Sequence, residues 1–96
     1  MIGLPSRLRL RVITPKNLLV DADVQEVTLP GLEGYLGILP GHRPLLLALG
    51  RGDISYRQSG RESRYPVEGG YADVHPDRVL VFTESMEERM DGIDEG

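Results

Sequence analysis

Apolar and polar positions alternate with period two along most of this 96-residue chain. In residues 7–14, Leu8, Leu10 and Val12 fall on one side and Arg7, Arg9 and Arg11 on the other, the signature of a half-buried strand. The same reading gives strands at 18–22 and 24–29, with Asp21 and Asp23 as punctuation. Further strands are expected at 35–39, 44–49, 53–58, 61–67, 71–74 and 78–83. Turn residues separate them: Thr14-Pro-Lys-Asn, Gly50-Arg-Gly-Asp, Ser59-Gly60, Gly69-Gly70 and His75-Pro76-Asp77. Pro66 marks its strand as an edge or a bulge. In the strand at 78–83, Val79 and Val81 oppose Leu80 and Phe82, so both faces are apolar and it is expected to lie under the tail or beneath a partner. About eight to ten short strands, with turn signals roughly every 6–12 residues, predict an all-β sandwich or barrel of antiparallel strands. The expected core is Leu8, Leu10, Val12, Val20, Val27, Leu29, Leu36, Ile38, Leu46, Ile54, Tyr56, Val67, Val74, Val79 and Val81.

The run 31–47, Gly-Leu-Glu-Gly-Tyr-Leu-Gly-Ile-Leu-Pro-Gly-His-Arg-Pro-Leu-Leu-Leu, breaks the simple alternation. Four glycines (31, 34, 37, 41) and two prolines (40, 44) interrupt an apolar segment. Glycine admits positive φ or close backbone approach, and proline fixes φ and removes a donor. The combination predicts a shaped loop, a short strand, a sharp corner and a second strand, a surface able to present a fixed shape to another molecule.

Length and charge narrow the class. The chain is one domain. Residues 1–84 form the expected β domain, and 85–96 a short acidic C-terminal stump. Ser85-Met-Glu-Glu reads there as a capping box opening a short helix. With no cysteine, neither disulfides nor thiolate metal sites are available. No apolar run reaches membrane-spanning or signal-peptide length, so a soluble intracellular protein is expected. The net charge of −4 lies in the tail: residues 84–96 carry six acids and one arginine, whereas 1–83 carry nine acids and ten bases. Neither part has the clustered cations of a nucleic-acid binder. The arginine row 7, 9, 11 is a solvated face or, alternatively, a patch for an anion or acidic partner.

Catalytic material is sparse. The two histidines, His42 and His75, each stand beside a proline-containing turn, with no nucleophile or metal-ligand spacing around them. Gly31, Gly34 and Gly37 are mis-spaced for a dinucleotide fingerprint, and Lys16 is not in a phosphate loop. Arg51-Gly52-Asp53 is a glycine turn. No enzyme activity and no cofactor are expected. A stand-alone β-sandwich module for a small ligand is the alternative, although only five aromatics (Tyr35, Tyr56, Tyr65, Tyr71, Phe82) are available to line a site.

Several stretches in order resemble one family, the ε subunit of F-type ATP synthases. These are Leu10 to Pro15, Val24-Gln-Glu-Val-Thr-Leu-Pro, the Gly31 run, Val67-Glu-Gly-Gly-Tyr-Ala-Asp-Val and Asp77-Arg-Val-Leu-Val-Phe-Thr-Glu, together covering roughly residues 8–94. The resemblance implies a sandwich of two antiparallel sheets and a non-catalytic rotor part of the central stalk. Such a part couples c-ring rotation and proton transport to ATP synthesis. By position, Glu33, Gly34 and Tyr35 would face the c-ring, and His42, Arg43, Pro44 and Leu45 the γ subunit. The family often has an acid where Tyr35 stands. The implied location is the cytoplasmic face of the bacterial cell membrane, peripheral, with no insertion of its own. Most members continue into a C-terminal helical hairpin, which in some bacteria binds ATP through Ile/Leu-Asp-x-x-Arg-Ala. Here Ile93-Asp94-Glu95-Gly96 matches the first four positions and the arginine is absent, so neither ATP binding nor inhibition of hydrolysis is expected of the 96 residues.

Overall fold

The computed structural model describes residues 5–86. Ten strands form: β1 (Leu8–Ile13), β2 (Leu18–Val24), β3 (Glu26–Gly31), β4 (Gly34–Ile38), β5 (Leu45–Ala48), β6 (Arg51–Gln58), β7 (Arg61–Glu68), β8 (Tyr71–Val74), β9 (Arg78–Phe82) and β10 (Ser85–Met86). They make two five-stranded sheets, one ordered β2-β1-β9-β8-β5 and the other β10-β7-β6-β3-β4. The all-β sandwich is as expected. One sheet is mixed, however, because β1 runs parallel to β9, with Arg9 opposite Arg78 and Ile13 opposite Phe82. A parallel pair cannot be closed by a tight turn. Here the intervening chain supplies the other three strands of this sheet and β3, β4, β6 and β7 of the second.

The core lies between the sheets. Leu8, Leu10, Val12, Val27, Leu29, Ile38, Ile54, Val67, Val74, Val79 and Val81 are fully buried, joined by Val24, Leu49 and Ala72. Burying each large aliphatic contributes ~1.5–3 kcal/mol. Val20, Leu36 and Tyr56 pack on this cluster half-buried. Leu46 does not belong to it: β5 alternates, Leu45 and Leu47 lean on the core, and Leu46 is 69% exposed on the outer face.

Three local expectations are corrected. Asp21 and Asp23 do not end a strand but sit inside β2 opposite Arg11 and Arg9, and the break falls at Gln25. Cross-strand charge pairing offsets their poor strand propensity. Arg51, Gly52 and Asp53 open β6 rather than forming a turn. Ser85 and Met86 pair with Glu68 and Val67 as a strand and do not begin a helix; the rest of the acidic stump lies outside the described residues. Among the described residues, β10 pairs with β7 only at Glu68 and Val67, next to Pro66. Ser59-Gly60 behaves as expected: both φ angles are positive (52° and 80°), the geometry of a two-residue hairpin turn whose twist matches the strands.

Candidate docking surfaces

The Gly31 run is split between the two ends of the sandwich. At one end, Leu32 and Glu33 form the tight turn between β3 and β4. This tip is tied to the opposite sheet. Gly31 bridges Leu49, the Leu32 N–H donates to the Ala48 carbonyl (3.2 Å), and the Gly50 N–H donates to the Pro30 carbonyl (2.8 Å). Gly31 is glycine for lack of space: a Cβ would lie 2.9 Å from the Gly34 carbonyl oxygen and 3.3 Å from Leu47 Cδ1. Leu32 and Tyr35 remain 69% and 62% exposed, and Glu33 and Gly34 are exposed beside them. An open, mainly apolar cleft of about 400 Å³ runs beneath, lined by Leu32, Tyr35, Leu36 and Leu47 among others.

At the other end of β4, the chain turns a corner through residues 39–44. Gly41 adopts φ +89°, its N–H donates to the Pro76 carbonyl (2.7 Å), and the His42 N–H closes a turn on Leu39 (3.1 Å). His42 Nδ1–H donates to the Arg43 carbonyl (2.7 Å), which fixes the half-buried ring. Arg43 and Pro44 are exposed, while Leu45 is half-buried against the core. The five residues of β4, roughly 16 Å of strand at about 3.3 Å per residue, lie between Glu33 and the corner that carries His42. The sequence-derived residues therefore form two separate surfaces.

Sequence reasoning caught only part of what lies between those ends. The outer face of the mixed sheet is divided along its strands. Toward the corner end it is ionic. Arg9 Nε lies 2.8 Å from Asp21 and Nη1 3.1 Å from Asp23, with Arg11 3.2 Å from Asp21. The hydrogen bond from Arg9, with help from Arg11 and against some desolvation, holds the Asp21 carboxyl below its usual range; Asp23 and Asp21 in turn raise Arg9. The arginine row is thus satisfied largely from within the fold, with only Arg7 lying before the strand. Toward the tip end the face is apolar. Tyr71 stacks on Phe82 across β8 and β9 (centroids 5.1 Å apart), and with Ile13 and Pro15 they edge an apolar cleft of about 320 Å³. Leu46 and Leu80 flank Asp73 in the neighbouring row. Asp73 itself lies 3.0 Å from His75. The two-sided apolar pattern of β9 had signalled this face. Leu46 was hidden in a run of five apolar residues with no alternation.

Among the described residues, no group of three His, Asp or Glu side chains is placed to hold a metal ion. No helix there is long and apolar enough to cross a membrane.

Comparison with known proteins identifies the fold. Residues 7–89 match the ATP synthase, Delta/Epsilon chain, beta-sandwich domain. The chain is 43% identical over 91 residues to the ATP synthase epsilon chain of Solibacter usitatus, covering 95% of this chain and 67% of that protein. It is 39% identical over 81 residues to that of Moorella thermoacetica, covering 83% and 60%, and 41% identical over 76 residues to that of Koribacter versatilis, covering 79% and 54%. It therefore spans little more than half to two thirds of these relatives. The backbone also matches a chain of the Euglena gracilis mitochondrial ATP synthase, in an OSCP, F1 and c-ring structure, with TM-score 0.81 at 24% identity, covering 93% of this chain and 59% of that one. A Tetrahymena thermophila chain from a central stalk and c-ring structure gives TM-score 0.70 at 19% identity, covering 98% and 78%. The chain belongs to the ATP synthase delta/epsilon family, matching its β-sandwich domain over residues 7–89.

Proposed function

We propose that this protein is a non-catalytic central-stalk rotor part of an ATP synthase. In this role it binds the γ subunit and the c-ring and so couples ring rotation, and proton transport, to ATP synthesis. Family membership carries the reading, and the Euglena and Tetrahymena chains of the same fold both come from assemblies that contain a c-ring. The geometry suits the task. A torque-transmitting block must not deform, and this one is a close-packed sandwich whose sheets are laced together at the tip. Glu33, Gly34 and Tyr35 at the tip would meet the c-ring. His42, Arg43, Pro44 and Leu45 at the corner would meet γ. The apolar outer face around Leu46 would extend the γ surface, since Leu45 is already turned toward the core. In this role the protein is peripheral to the bacterial cell membrane, on its cytoplasmic side, held there by the complex.

The test is coupling in vesicles reconstituted with the synthase of the same organism. With this chain supplied, a proton gradient should drive ATP synthesis. With it omitted, synthesis should fall while the catalytic head still hydrolyses ATP. Equal synthesis with and without the chain would contradict the role.

A further inference from the structure

Tyr35 is exposed yet fixed in place. The residue is 62% exposed, but its phenol oxygen accepts the backbone N–H of Asp53 at 3.3 Å. The β3–β6 pairing ends at Thr28 and Ser55. Beyond that point the Pro30 carbonyl accepts the Gly50 N–H (2.8 Å) instead. The Asp53 N–H lies where the β3 ladder has stopped, and a side chain from β4 supplies its acceptor. The phenol needs a seat to reach it, and Gly52 provides one. A Cβ on Gly52 would overlap the Tyr35 hydroxyl and stand 3.3 Å from Tyr35 Cζ and 3.0 Å from Pro30 Cβ. Gly52 lies within β6 and is not one of the glycines at positive φ, so what a side chain there would meet is the seated Tyr35 phenol, not a backbone penalty.

We propose that Gly52 is a positioning residue for the tip surface. It seats the Tyr35 phenol, and the seated ring stands beside Leu32 as a preset apolar contact for the c-ring. An aromatic side chain already held in one rotamer loses less freedom on docking than a mobile one. The inference rests on the docking role given to Tyr35 above, and adds a residue remote in sequence that makes the contact rigid.

The test is a double-mutant cycle on the full chain, bound with γ to detergent-solubilised c-ring of the same organism. Gly52→Ala should weaken ring binding roughly five-fold, the scale of one hydrogen bond, when residue 35 is tyrosine. The loss should shrink in the Tyr35→Phe background, where the hydroxyl that meets the new methyl is gone. Equal losses in both backgrounds, or none in either, would overturn the proposal, since a purely structural role for Gly52 does not depend on that hydroxyl. Tyr35→Ala separates the two layers. Unchanged ring binding would overturn the docking role and this inference together. A loss without coupling between 52 and 35 would overturn only the positioning. Should Gly52→Ala fail to fold, NMR of the unaltered chain decides: cross-peaks between the Tyr35 ring and Gly52 Hα support the seat, and their absence overturns it.

Discussion

Gly70 and Phe82 touch backbone to backbone. Gly70 adopts φ +106°, and a methyl group on its α-carbon would overlap the Phe82 carbonyl oxygen and lie 2.9 Å from the Phe82 carbonyl carbon. Two penalties would coincide, positive φ for an L side chain and a clash with rigid backbone. Gly70→Ala should therefore cost on the order of 2–4 kcal/mol, read as a lowered urea midpoint. The variant should also shift Phe82 and Tyr71, visible as a changed near-ultraviolet circular dichroism. An unchanged midpoint would contradict the packing described.

The β6–β7 turn gives a milder pair of expectations. Gly60 at φ +80° faces open space, so Gly60→Ala suffers only from backbone conformation and should lose about 1 kcal/mol. Ser59 occupies φ +52°, where asparagine is more comfortable, so Ser59→Asn should gain roughly 0.5 kcal/mol. Thermal melts of both variants check the sign as well as the size.

The Arg9–Asp21 pair predicts a pH effect of definite sign. Its folded-state carboxyl titrates below the ordinary aspartate value of 3.8, chiefly through the Arg9 hydrogen bond. The folded form therefore favours the ionised carboxyl. That stabilisation is complete well above pH 3.8 and is lost as pH falls through the lower folded value. Because the pair is solvent-exposed, the effect should be small and weaken with added salt. Asp21→Asn should flatten the acid limb of the stability curve and leave the neutral-pH melting temperature nearly unchanged. A carboxyl titration for Asp21 above the ordinary value, followed by NMR, would refute the pairing.

A core position on β6 and an outer-face position on β5 should respond in opposite ways. Ile54, fully buried, should lose ~2–5 kcal/mol on truncation to alanine. Leu46→Asp, on the outer face, should change stability by less than about 0.5 kcal/mol, yet reduce affinity for γ because it places a charge in an apolar contact. A large loss of stability in Leu46→Asp would mean that this side chain is not on the surface.

How much of this was legible in the sequence depends on the kind of information each feature carries. Strands such as β1 and β6 announced themselves because one face is buried, and burial imposes period two. The Ser59-Gly60 hairpin was legible because its turn needs positive φ at both residues. The parallel β1–β9 pairing was not, because it joins strands far apart in the chain and has no local turn to mark it. Asp21 and Asp23 looked like breaks only because their partners, Arg9 and Arg11, lie on another strand. The Gly31 run stood out at once as a shaped edge. That its two halves occupy opposite ends of the molecule, and that Gly52 makes room for Tyr35, could be seen only once the strands were assembled.

The proposed role is mechanical: a stiff β-sandwich would grip a rotating shaft. Isothermal titration of the full chain against the γ subunit encoded by the same genome tests it most directly. Saturable one-to-one binding, weakened about ten-fold or more by Leu46→Asp at unchanged melting temperature, is the expected result. Absence of binding by the unaltered chain would contradict it.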